Sequence, residues 1–108
     1  MRSVPAQLPF TVADGEQIQI AFAEGDLVLR FLDIGERPVE YRFRDALAFR
    51  WSARSTIETP RDDMALEVAE SAWLADEVCL DGYSKPEEFV HRVLCFNAAK
   101  VLEVISRR

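Results

Sequence analysis

Apolar and polar positions alternate along much of the chain, and the alternation predicts strands. Between Gln17 and Phe22, Ile18, Ile20 and Phe22 fall on one side and Gln17, Gln19 and Ala21 on the other, the period of a half-buried strand. Phe10 to Val12 leads into Asp14-Gly15, which suits the left-handed positions of a tight turn, so a first hairpin is predicted here. After the turn residues Glu24-Gly25-Asp26, the segment Leu27 to Ile34 is largely apolar on both parities and reads as a central strand covered on two sides. Gly35-Glu36-Arg37-Pro38 makes the next turn. In Val39 to Trp51 the odd positions Val39, Tyr41, Phe43, Leu47, Phe49 and Trp51 are apolar or aromatic, while Glu40, Arg42, Arg44, Arg50 and Ser52 take the other parity. A helix does not produce that pattern; a long strand does, with Asp45-Ala46 marking a bulge or bend.

Ser52 to Asp63 contains Pro60 and many Ser, Thr and Asp residues, and is predicted to be a surface loop. Asp62 to Leu80 admits two readings. One is a single longer helix through Met64, Val68, Ala72 and Trp73. The preferred one is a strand over Met64 to Ala69, followed by a short helix from Ser71, whose hydroxyl caps the first turn of Ala72 to Val78. Asp81 to Pro86 forms a loop. Glu88 to Phe96 and Val101 to Ile105 then read as two strands joined by a turn at Asn97 to Lys100, with Arg107 and Arg108 outside the pattern as solvated charges. The resulting fold class is mainly β, α+β at the margin. It is an antiparallel sandwich or partly open barrel of about seven strands with one short helix, its edges protected by charges such as Arg42 and Arg44.

At 108 residues, 49% apolar and 30% charged, the chain suits one domain, 1–108, with a core that needs no metal or disulfide support. Pro5 and Pro9 interrupt the start before any signal-like apolar run, and no apolar stretch approaches the ~18 residues of a membrane helix. A soluble, cytoplasmic protein with no membrane contact is expected. Cys79 and Cys95 have no C-x-x-C spacing and no Cys/His companion, and are expected to be buried free thiols. The net charge of −6 argues against nucleic acid as a partner. Ten acids against Arg61 and Lys85 give Thr56 to Val90 a local balance of −8, whereas Arg37 to Ser55 is basic by +3.

No phosphate-binding glycine loop, nucleophile elbow, H-E-x-x-H or EF-hand spacing occurs, so no catalytic, cofactor-binding or metal-binding residues are assigned. His91 is the single histidine, and any Ser-His or Cys-His mechanism would have to use it. Beside Glu87 and Glu88 at the start of a strand, it is expected to be a structural side chain bonded to a neighbouring carbonyl or carboxylate, without the partners that activation requires. Asp62-Asp63, Asp76-Glu77 and Glu87-Glu88 are adjacent in sequence, so their side chains diverge on a strand or helix and do not form an acid–base pair. Trp51 and Trp73 read as core or rim anchors.

Three stretches carry a family resemblance: Phe43 to Arg50, Glu70 to Leu74, and His91 to Ser106, which ends Leu102-Glu103-Val104-Ile105-Ser106. Over about the C-terminal two-thirds, the chain resembles small uncharacterised bacterial β-rich proteins, some of them immunity-type proteins encoded near polymorphic toxins. That resemblance implies a binding role and brings no catalytic residues. The leading functional expectation is therefore a non-enzymatic, immunity- or antidote-like domain that docks on a basic protein through an acidic surface including Glu58, Asp62, Asp63 and Asp76. The alternative is a small-molecule-binding or enzymatic β-barrel with Tyr41, Arg50 and Trp51 around an interior ligand.

Overall fold

The C-terminal hairpin organises the larger of two antiparallel sheets. The computed structural model describes residues 2–52, 64–82, 85–97 and 100–108. Among these, the strands are β1 (Arg2–Pro5), β2 (Glu16–Ala23), β3 (Asp26–Leu32), β4 (Pro38–Phe43), β5 (Ala48–Ser52), β6 (Met64–Ala69), β7 (Phe89–Asn97) and β8 (Lys100–Arg107). Helix α1 (Ala72–Asp81) follows β6, and a 3-10 turn at Pro86–Glu88 enters β7. One sheet has the order β1-β6-β7-β8-β5 and the other β2-β3-β4, so the molecule is an open sandwich with no closed barrel.

Period-two alternation explains the layering. In β7 and β8 the residues Leu94, Phe96, Leu102 and Val104 face the small sheet, where they share a core with Leu27, Leu29, Phe31 and Phe43. On the opposite face, Phe89 and Ile105 pack beneath Leu74 and Val78, which lie one helical turn apart on α1. A third cluster, Leu66, Val68, Val93, Cys95 and Val101, continues that face. The centre of the large sheet is thus buried on both sides, and Val101 to Ser106 is an unbroken buried run. No helix among the described residues is long and apolar enough to cross a membrane.

The strand at Met64–Ala69, the Ser71 cap and a short helix occur as predicted, the helix running past Val78 to take in Asp81, which the sequence reading assigns to the loop; the single longer helix through Met64 and Val68 does not occur. Ser71 Oγ accepts from the Leu74 N–H at 3.1 Å, and the helix ends at Gly82, whose φ of 76° places it in the left-handed region. Four expectations are corrected. Phe10 to Val12 is not a strand: after Pro5 and Pro9 its side chains pack on the core without entering a ladder, Phe10 against the Phe31 and Tyr41 rings. Gly15 closes this approach, since a Cβ there would sit 2.7 Å from Phe96 Cδ1. The long Val39 to Trp51 segment is two strands in different sheets, and the bend is a corner at Asp45, with φ 45°. β3 is central as expected, but only its inner face is covered throughout, because Arg30 on the outer face is exposed and pairs with Glu40. Arg107, expected to be a free solvated charge, is a ladder residue that bridges Asp45 at 2.6 Å and Glu88 at 2.9 Å.

Candidate functional site

The three sequence stretches that carried the resemblance meet in space. Arg50 lies on β5 directly opposite Glu103 on β8. His91 on β7 is paired with Ile105, which makes Glu103 its diagonal neighbour on the same face of the sheet. Ser71 and Trp73, at the start of α1, close over this face. The result is a chain of polar contacts: Ser71 Oγ to His91 Nδ1 at 2.7 Å, His91 Nε2 to Glu103 Oε1 at 3.0 Å, and the Arg50 guanidinium to Glu103 at 3.3 Å. His91 and Glu103 are each 1% exposed and Ser71 is 8% exposed, so the contacts operate out of bulk water.

Roles within the chain follow from donor and acceptor chemistry. An ionised Glu103 only accepts, so His91 Nε2 carries a hydrogen toward it. With the ring neutral, Nδ1 is the acceptor for the Ser71 hydroxyl, and Ser71 Oγ in turn accepts from Leu74 N–H. The indole of Trp73 meets the His91 ring edge-on, with centroids 5.1 Å apart, and also receives the Arg50 guanidinium 3.9 Å from the ring centroid. Trp73 Nε1 donates to Glu77. The imidazole is therefore oriented by hydrogen bonds at both nitrogens and by a packed aromatic wall.

A cleft of about 570 Å³ opens beside Ser71, with Val68, Leu74, Phe89, Val90 and Arg108 in its wall. Glu70, the residue between β6 and Ser71, has a φ of 54°, so the chain turns sharply from strand to helix where the serine is presented.

The sequence-based reading of His91 was right that it bonds a carboxylate, but the carboxylate is Glu103 and not an adjacent acid. The expectation that it lacks activating partners is corrected, because Ser71 and Glu103 flank it. The sequence alone marks Ser71 as a cap and assigns Glu103 no role. An acid in the middle of a strand buried on both faces was the available signal.

The acidic candidates divide differently. Glu58, Asp62 and Asp63 lie outside the described residues. Asp76 is exposed on α1, followed by Glu77 and by Asp81 in the last turn. Cys95 is buried as expected, but Cys79 is exposed on the same helix, a correction that follows from its position opposite the Leu74–Val78 stripe. Tyr41, Arg50 and Trp51 do not surround an interior ligand. Tyr41 packs between Phe10 and Phe43 in the core, Arg50 points to Glu103 on the other side of the large sheet, and Trp51 is 42% exposed at its edge. Among the described residues, no group of three or more His, Cys, Asp or Glu is placed to hold a metal ion.

The fold and this site define the class of the protein as a helix-covered antiparallel sandwich with a buried Ser-His-Glu chain. Comparison with family models, curated proteins and solved structures finds no match.

Proposed function

We propose that the protein is a protein-binding domain, of the immunity or antidote type suggested by the resemblance, which docks on a basic partner in the bacterial cytoplasm through the outer face of α1. The observation that carries this reading is the charge order along the helix. The first turn contains no acid and the last turn no base, while Asp76 and Glu77 stand at mid-helix and Asp81 in the last turn. A helix macrodipole disfavours negative charge in the last turn by about 0.3–1 kcal/mol, so Asp81 does not serve helix stability, and the exposed Asp76 side chain has no hydrogen bond within the helix to explain it, whereas Glu77 accepts from Trp73 Nε1. Leu80 stands among them at 81% exposure, an apolar side chain available to a pocket on the partner. Glu58, Asp62 and Asp63 belong to the proposed surface on the ground of their charge in the sequence alone.

The test is a triple variant, Asp76→Lys, Leu80→Ser and Asp81→Lys, compared with the wild type for association with the partner recovered by affinity capture. Raising the ionic strength from ~0.01 M to ~0.15 M shortens the Debye length from ~30 Å to ~8 Å, and the wild-type association rate should fall accordingly. The variant, with its melting temperature retained, should associate at least about tenfold more slowly at low salt. Equal rates for both proteins, or a rate indifferent to salt, would remove the acidic helix from the interface.

A further inference from the structure

We propose that Ser71 is an acyl-accepting nucleophile, with His91 as its general base, and that the cleft beside it takes a small carboxylic ester with a short apolar acyl group. The proposal is independent of the binding role of the outer helix face. It rests on the connectivity of three buried groups together with the cleft that Ser71 lines. A serine, a histidine within hydrogen-bond reach of it and a carboxylate on the far ring nitrogen form the arrangement that activates a hydroxyl, and it is recognised by geometry and not by sequence order.

Local structure supports each role. The Ser71 Oγ to His91 Nδ1 separation of 2.7 Å is short enough for proton transfer. Glu103 is a positioning residue: it holds the ring through Nε2, and Arg50 holds the carboxylate. Ser71 sits at the positive end of α1, where negative charge developing on Oγ is stabilised, and the first N–H groups of a helix have no intrahelical acceptor, so they are free in principle to donate to a developing oxyanion. The cleft wall is mostly apolar, from Val68, Leu74, Phe89 and Val90, which fits an acyl chain.

A purely structural role accounts for less. Capping α1 requires only Ser71 Oγ and the Leu74 N–H. It does not require a histidine behind the serine or a buried glutamate behind the histidine. A buried ionic or polar pair of this kind can often be replaced by apolar residues without loss of stability.

The reaction balances within the site. The Ser71 O–H proton passes to His91 Nδ1 as Oγ bonds to the carbonyl carbon. Collapse of the tetrahedral intermediate breaks the ester C–O bond, and the proton on Nδ1 goes to the departing alkoxide to give the alcohol. Water then attacks the acyl-serine by the same proton path, releasing the carboxylic acid and restoring Ser71.

The experiment treats the whole chain with a fluorophosphonate probe, locates any adduct by peptide mass, and measures p-nitrophenyl acetate hydrolysis. An adduct on Ser71 is expected, with the labelling rate reduced about 100-fold or more in His91→Gln. Ser71→Asn, which keeps a good helix cap, should retain its thermal melt and lose both adduct and hydrolysis. Glu103→Gln should lower kcat with KM unchanged, a split that a packing role does not produce. An unlabelled Ser71 in the folded wild type, an adduct confined to another residue, or hydrolysis undiminished in folded Ser71→Asn would overturn the assignment.

Discussion

Asp26 secures the corner where the chain passes from one sheet to the other. Its Oδ1 accepts the Asp45 N–H at 2.9 Å and its Oδ2 faces Arg42 at 3.3 Å. The Asp45 hydrogen bond, the largest cause, holds the Asp26 carboxyl below the usual carboxylate range; desolvation opposes it, and Arg42 and Arg44 add to the lowering. A carboxyl with a folded pKa below its unfolded value of ~3.9 contributes stability above that value and loses it as the pH falls through the folded pKa. Asp26→Asn should therefore be less stable than the wild type at neutral pH, and the gap should close as the pH falls below ~4. Denaturant unfolding of both proteins across that range checks this, and a gap of constant size would assign the loss to shape instead of charge. Residue roles of this kind were only half legible. Asp26 read as a turn residue because its partner, Asp45, is nineteen positions away. Glu103 likewise becomes a partner for His91 only once the β7–β8 register brings them together diagonally.

At the scale of elements, legibility followed how local the determinants were. The strand, the cap and the start of the helix from Met64 to Val78 could be read because strand alternation, the Ser71 cap and the helical stripe all act within a few residues, whereas the last turn to Asp81 was not read. The C-terminal hairpin could be read from two apolar runs and their spacing. By contrast, Val39 to Trp51 keeps one alternation through the Asp45 corner, so parity alone could not show that β4 and β5 part to different sheets. Nor could it show that the partner of β1 is β6. The β8 strand carries the heaviest structural role, since it lies between β7 and β5 and contributes Leu102 and Val104 to one core and Ile105 to another. Leu102→Ala should cost about 2–5 kcal/mol, as for other large-to-small changes in a packed core, and deletion of 101–108 should abolish the cooperative melt. Circular dichroism during thermal unfolding measures both. A truncated chain that kept its β signal and a sharp transition would show the large sheet to be stable without this strand.

Across the whole molecule, the two sheets differ in how far along the chain their strands reach for partners. β2, β3 and β4 pair with sequence neighbours through short turns, as do β7 and β8, whereas β1 pairs with β6 and β5 with β8 across more than half a hundred residues. Closing long loops costs entropy before any contact rewards it, while hairpins form in ~1–10 μs. Both long-range partners, β1 and β5, are the outermost strands of the large sheet. Assembly therefore runs from the middle of that sheet outward, and its rims are the last parts to acquire protection. Pulse-labelled hydrogen exchange during refolding should find the β1 and β5 amides protected after those of β2–β4 and β7–β8; simultaneous protection would mean that the sheet closes in one step. The same order governs vulnerability. During synthesis β8 emerges after its partner β5, so a nascent chain presents an unpaired β5 carrying Phe49 and Trp51, and that interval is when the protein is most exposed to mispairing with another copy.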